Sequence, residues 1–153
     1  MKKILKMIFT ALLFLILLVS CKNSETLGDY HDLESETFTG MHIMSHDDMS
    51  KTKEFLEVQT QEIYDYFMAI KSEESKLLSE DHSLSEPNYS VLLHFENIDY
   101  NLAVGDNYIV VLLNKEYQTA DEIFKNTSLH LIKEATILDF EAMLEKLLDE
   151  HLD

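Results

Sequence analysis

Three short runs rich in β-branched and aromatic residues stand close together in this chain: Tyr89 to Phe95, Tyr100 to Val104 and Tyr108 to Leu113. Such runs favour strands, and only Gly105, Asp106 and Asn107 separate the last two. Those three residues accept positive φ readily, as a tight hairpin turn demands, whereas a parallel crossover needs roughly a dozen residues or more. The stretch therefore commits the chain to an antiparallel sheet. Ile109 to Leu113 is apolar without alternation, so the third strand is expected to be central and covered on both faces.

The flanking segments are placed around that sheet. Residues 37–45 predict a first strand. Ser45-His46-Asp47-Asp48 has the spacing of a capping box. Behind it Met49, Thr52, Leu56, Ile63, Phe67 and Ile70 recur at helical intervals, with Lys53, Glu57, Gln61 and Asp65 off the stripe. One long helix over 46–72, reaching toward Leu78, is expected. The serine- and acid-rich residues 79–88, with the sole proline Pro87, end it. Thr119 to Glu122 forms a second capping box for a short helix that Asn126 ends, and Ser128 to Ala135 alternates as a further strand. From Thr136 a last helix carries Ile137, Phe140, Leu144, Leu147 and Leu148 on one stripe. Its Asp149, Glu150 and Asp153 oppose the helix dipole, so the last turn frays unless a cation meets it. The sum is one α+β domain over residues 37–153, a mostly antiparallel sheet of four to five strands packed by a long N-terminal helix and a C-terminal helix.

Ahead of this domain lie Lys2, Lys3 and Lys6, an apolar run from Ile8 to Val19 broken only by Thr10 and Ala11, and the tetrapeptide Leu18-Val19-Ser20-Cys21. The segment resembles the lipobox signal peptide of bacterial lipoproteins, and the resemblance covers residues 1–21. It implies that residues 1–20 are cleaved away, that the Cys21 thiol takes a diacylglyceryl group, and that the new amino terminus is acylated. The product would be anchored by lipid to a membrane of the cell envelope, facing away from the cytoplasm. A thiolate is the nucleophile such an alkylation needs, and several chains are needed because one acyl chain anchors only marginally. The apolar run over 7–19 is shorter than the ~20 residues of a bilayer span. Residues 21–36 read as the lipidated cysteine and an acidic tether. The fifteen residues 22–36 hold five acids and one lysine without sustained periodicity, and extended they reach at most ~50 Å at ~3.3 Å per residue.

With Lys2, Lys3 and Lys6 removed, nine lysines face 29 acids, and the chain has no arginine. Phosphate recognition rests on clustered Lys and Arg, so nucleic acid is excluded as a partner. A basic protein is favoured instead, although the same charge also keeps a tethered domain soluble. Cys21 is the only cysteine, so no disulfide can form within the domain.

Two side-chain sets carry candidate chemistry. Met41, His42, Met44, His46 and Met49 are thioethers and imidazoles, donors suited to Cu(I). On a strand His42 and Met44 share a face, and on a helix His46 and Met49 lie three apart, so a strand-to-helix junction could gather them. The same methionines serve equally well as flexible fillers of a core. His94 and Glu96 share a strand face and, with His130 on a neighbouring strand, would make a zinc set. There is no Gly-rich phosphate loop, no nucleophile elbow and no HExxH motif. No catalytic residue, and no cofactor beyond covalent lipid at Cys21, is expected. The reading is a non-enzymatic membrane-anchored lipoprotein whose acidic domain binds a protein partner in the envelope. An immunity protein covering a basic toxin is one form of it, and a copper-handling lipoprotein acting through residues 41–49 is the other class.

Overall fold

The computed structural model describes residues 25–77, 84–114 and 120–151. The lysine-flanked apolar run, Cys21, part of the loop over 79–88 and the first residue of the Thr119 box lie outside the described residues. The meander predicted from the middle of the chain is present as β4 (Tyr89–Phe95), β5 (Asp99–Gly105) and β6 (Tyr108–Asn114). Its registers are Val91 opposite Leu102 and Leu102 opposite Val111. β1 (Phe38–Ser45) and β2 (Thr52–Leu56) extend the sheet on one side, β7 (Thr127–Leu131) and β3 (Glu74–Leu77) on the other. The order is β2-β1-β4-β5-β6-β7-β3, antiparallel at every pair. Helices α1 (Leu27–His31), α2 (Glu57–Ala69), α3 (Ala120–Lys125) and α4 (Glu134–Glu150) complete the described fold, with one 3-10 turn at Leu33–Ser35.

The fold is α+β as expected, but seven strands replace the four to five, and both β2 and β3 come from the span assigned to one long helix. The cause is visible at Ser45. Its Oγ does accept from the Asp48 N–H at 3.4 Å, the contact a capping box makes, yet here it closes a hairpin turn. Asp48 Oδ1 accepts from the backbone N–H of Ser50 at 3.1 Å and from its hydroxyl at 2.6 Å, and the Ser45 N–H reaches the Lys51 carbonyl at 3.1 Å. Caps and turns share this short-range chemistry. After the turn, Phe55 pairs with Met41 and Lys53 with Ile43, so β2 alternates where a helix was expected. The helix starts only at Glu57, where Gln59 Oε1 accepts from the Leu56 N–H at 3.1 Å. Between β1 and β2 the backbones approach so closely that a Cβ on Gly40, at φ +155°, would meet the Phe55 carbonyl oxygen at 2.3 Å. Only glycine fits there.

α2 and α4 cover one face of the sheet. Phe67 and Ile63 of α2, and Ile137, Phe140, Leu144 and Leu148 of α4, join Met41, Ile43, Leu93, Leu102 and Val111 in a single buried cluster. The predicted α4 stripe is the buried one, although α4 begins at Glu134 and β7 stops at Leu131. Its acidic C-terminus does meet cations. Lys51 lies 2.6 Å from Asp149 and 3.8 Å from Glu145, and Lys53 Nζ donates to the His151 carbonyl, offsetting the helix dipole. On the other face His42, Met44, Leu92, His94, Asn101 and Val110 are half-exposed.

The segment expected to be a tether is part of the body from Thr26 onward. Thr26 caps α1, its Oγ1 accepting from Asp29 N–H at 3.1 Å while Asp29 Oδ2 accepts from Thr26 N–H at 3.3 Å. The Leu27 N–H bonds the Ile70 carbonyl at 2.9 Å. Leu27 and Leu33 are both 0% exposed. Two leucines buried completely outweigh the mutual repulsion of exposed acids, each worth about 1.5–3 kcal/mol in water exclusion, so the acidic composition did not prevent docking.

Candidate functional site

The residues singled out as metal ligands are dispersed. Strand alternation puts His42 and Met44 on the half-exposed sheet face and Met41, 1% exposed, in the core. His46 follows β1, its Nε2 2.8 Å from Ser90 Oγ, and Met49 sits 63% exposed in the β1–β2 turn. The strand-to-helix junction that would have gathered them is a hairpin. His94 and His130 are likewise apart. β5 and β6 lie between their strands, His94 Nδ1 contacts Asp99 Oδ1 at 3.1 Å on one face, and His130 is buried on the other. Glu96 is exposed beyond the end of β4. Among the described residues no group of three or more His, Cys, Asp or Glu side chains has a metal-holding arrangement. Cys21 lies outside the described residues.

What the fold does assemble is an acidic hollow of ≈ 620 Å³ between α1, the 3-10 turn, the start of β1 and α2. Asp29, Glu34, Glu36, Glu57 and Asp65 line it, with Phe38, Tyr64 and Met68. Phe38 and Tyr64, both nearly buried, stack face to face at 4.2 Å between centroids, only 4° from parallel, and form the aromatic floor beneath the carboxylates. Asp65 Oδ1 accepts from Gln61 Nε2 at 2.7 Å. None of the five carboxylates takes part in an ion pair among the described residues; the lysine pairs there engage Glu74, Glu145, Asp149 and Glu150. Burial, then the charges of Asp65 and Glu34, hold the Tyr64 phenol above its ordinary range. A cation carrying an apolar stem suits this arrangement, its charge at the rim and its methylenes along the aromatic floor.

The hollow is not legible in the sequence, because Asp29, Glu34 and Glu36 fall in a stretch that reads as an acidic tether. Leu27 and Leu33, isolated apolar residues in an otherwise polar stretch, were the available signal that it docks. A second hollow of ≈ 670 Å³ lies on the other side of Ala69, with Lys71, Lys133 and Glu73 around Tyr66 and Thr136, and its charges are mixed.

A buried polar cluster is likewise not legible in the sequence. His31 Nε2 of α1 lies 3.0 Å from His130 Nε2 of β7, and Ser128 Oγ is 2.9 Å from the latter and 3.3 Å from the former. Ser75 Oγ of β3 lies 2.9 Å from His130 Nδ1. Burial pushes the His31 imidazole down to about 4; burial, then the His31 charge, does the same to His130. Both rings are therefore neutral at pH 7.

No protein-family model matches the chain, and no curated protein or solved structure matches it either. Among the described residues no helix is long and apolar enough to cross a membrane.

Proposed function

We propose that the chain is a lipid-anchored bacterial lipoprotein, without catalytic activity, whose acidic hollow receives a basic segment of a protein partner in the cell envelope. The observation that carries the partner reading is the set of five carboxylates around an aromatic floor, with no lysine among the described residues that line it. Charge of one sign around a low-dielectric floor focuses the field and speeds capture of an opposite charge. A toxin with a basic cleft is one partner of this kind, which would make the chain an immunity protein.

The anchor rests on residues 1–21. Cys21→Ser is expected to move the protein from the detergent phase to the aqueous phase on phase partitioning and to remove the acyl mass from the protein. An unchanged partition and mass would refute lipidation. The hollow is tested with a short oligolysine peptide as probe. Binding is expected at low salt, to weaken as salt rises, and to fall about 2- to 30-fold in Glu57→Lys/Asp65→Lys, since each exposed pair lost is worth about 0.2–1 kcal/mol. Equal affinity in the variant would remove the hollow from consideration.

A further inference from the structure

His31 and Ser128/His130 come from opposite ends of the described chain and aim three donor atoms at one another. His31 Nε2, His130 Nε2 and Ser128 Oγ form a triangle with edges of 3.0, 2.9 and 3.3 Å. Donors about 2.1 Å from one ion and roughly 90–109° apart stand about 3.0–3.4 Å from each other, so the triangle has the dimensions of three ligands on one face of a single ion. We propose that His31, His130 and Ser128 form a binding site for a first-row divalent transition metal of the Zn²⁺ or Cu²⁺ class, clipping α1 to β7.

The donor set defines the class. Two imidazoles and a hydroxyl, whose hydrogen bonds among the described residues are to one another, to Ser75 and to the Val111 carbonyl, suit borderline ions and not Ca²⁺ or Mg²⁺, which demand oxygen ligands and negative charge. The surroundings orient the rings. Ser75 Oγ at His130 Nδ1 can take the N–H of the tautomer that leaves Nε2 free to ligate, the usual role of an outer hydrogen bond in a metal site. Tyr30 packs edge-on against both imidazoles, at 4.9 Å from His31 and 4.8 Å from His130, and Tyr100 against His31 at 6.0 Å. Without metal, the 3.0 Å contact requires that one Nε2 carry a proton and the other accept it. On binding, that proton moves to Nδ1 of the same ring, both imidazoles stay neutral, and the ion occupies the space between the nitrogens.

The test uses the full chain purified in detergent, stripped with chelator and titrated with Co²⁺ by absorbance and with Zn²⁺ by calorimetry. One equivalent is expected to bind, with visible d–d bands from Co²⁺ and a rise in Tm with Zn²⁺, while Ca²⁺ and Mg²⁺ do neither. His31→Ala, at a half-buried position, should abolish the bands and the Tm rise. Ser75→Ala, which keeps all three donors, should weaken uptake about 10- to 100-fold and keeps the test open if His31→Ala folds poorly. His42→Ala/His46→Ala should change nothing. No uptake by the wild type, full uptake by His31→Ala or Ser75→Ala, or loss of uptake in His42→Ala/His46→Ala would each overturn the site.

Discussion

A chain shortened to begin at Thr37 is expected to lose about 5 kcal/mol or more of folding stability relative to one beginning at Cys21. The truncation removes Leu27 and Leu33, both 0% exposed, together with the Leu27–Ile70 backbone bond and His31. Deleting one fully buried leucine side chain costs about 2–5 kcal/mol, and a whole domain holds only about 5–15 kcal/mol. The shortened chain should therefore be largely unfolded or marginal, with a urea midpoint far below that of the longer form. Leu33→Ala alone should lower the midpoint by an amount within the single-leucine range. Equal midpoints for the two lengths would mean that α1 and the 3-10 turn contribute nothing, and would return residues 21–36 to the role of a tether.

Stability is also expected to fall as pH drops from about 6.5 toward 4 in the metal-free protein. Burial lowers both His31 and His130 from 6.5 to about 4 in the folded state. Within that window the unfolded chain binds a proton at each ring while the folded chain does not, so stability falls with falling pH. Above 6.5 both states are neutral and the contribution is complete; below about 4 both are charged and no further loss accrues. At pH 5 the loss is about 2 kcal/mol per ring, from 1.36 kcal/mol per pH unit. Urea midpoints at pH 7.5, 6 and 5 measure it, in the presence of chelator. His31→Gln should flatten the slope by about half. A slope unchanged in that variant would assign the acid sensitivity to other groups.

Which parts of the fold could be read in advance follows from how local their determinants are. Gly105-Asp106-Asn107 and the runs on either side state a hairpin within about 15 residues, and the hairpin is there in the expected place, although none of the three turn residues takes the positive φ expected of them. The stripe from Ile137 to Leu148 states a helix face by its spacing alone, and that face is buried. The span 46–72 misled because Leu56 falls in helical phase with Ile63 and Phe67 of α2, although it ends β2 as an exposed residue while its neighbour Phe55, opposite Met41, is the one buried. Ser45 and Asp48 make the same i-to-i+3 contact in a turn as in a cap. Nothing local distinguishes the two; the pairing of β2 with β1 does. The acidic hollow and the histidine cluster are further from legibility. His31 and His130 are 99 positions apart, and each alone looks like a polar residue in an ordinary surrounding. Only the docking of α1 against α2, from which the His31 side chain reaches β7, brings them together, and the residues that bury α1 are two leucines in a stretch whose composition argues for solvent.

The docked N-terminus changes where such a molecule works. With Cys21 lipidated as proposed, the chain between the lipid and the first residue held by the body, Thr26, spans no more than about 17 Å when stretched at ~3.3 Å per residue, about a third of what the full acidic segment would allow. The body would ride close against the headgroups, with Asp29 and Glu34 of the hollow on the very segment that leads down to them. A partner could not be fished from deep in the surrounding compartment. It would have to arrive at the membrane surface or travel along it, and along it the search is two-dimensional.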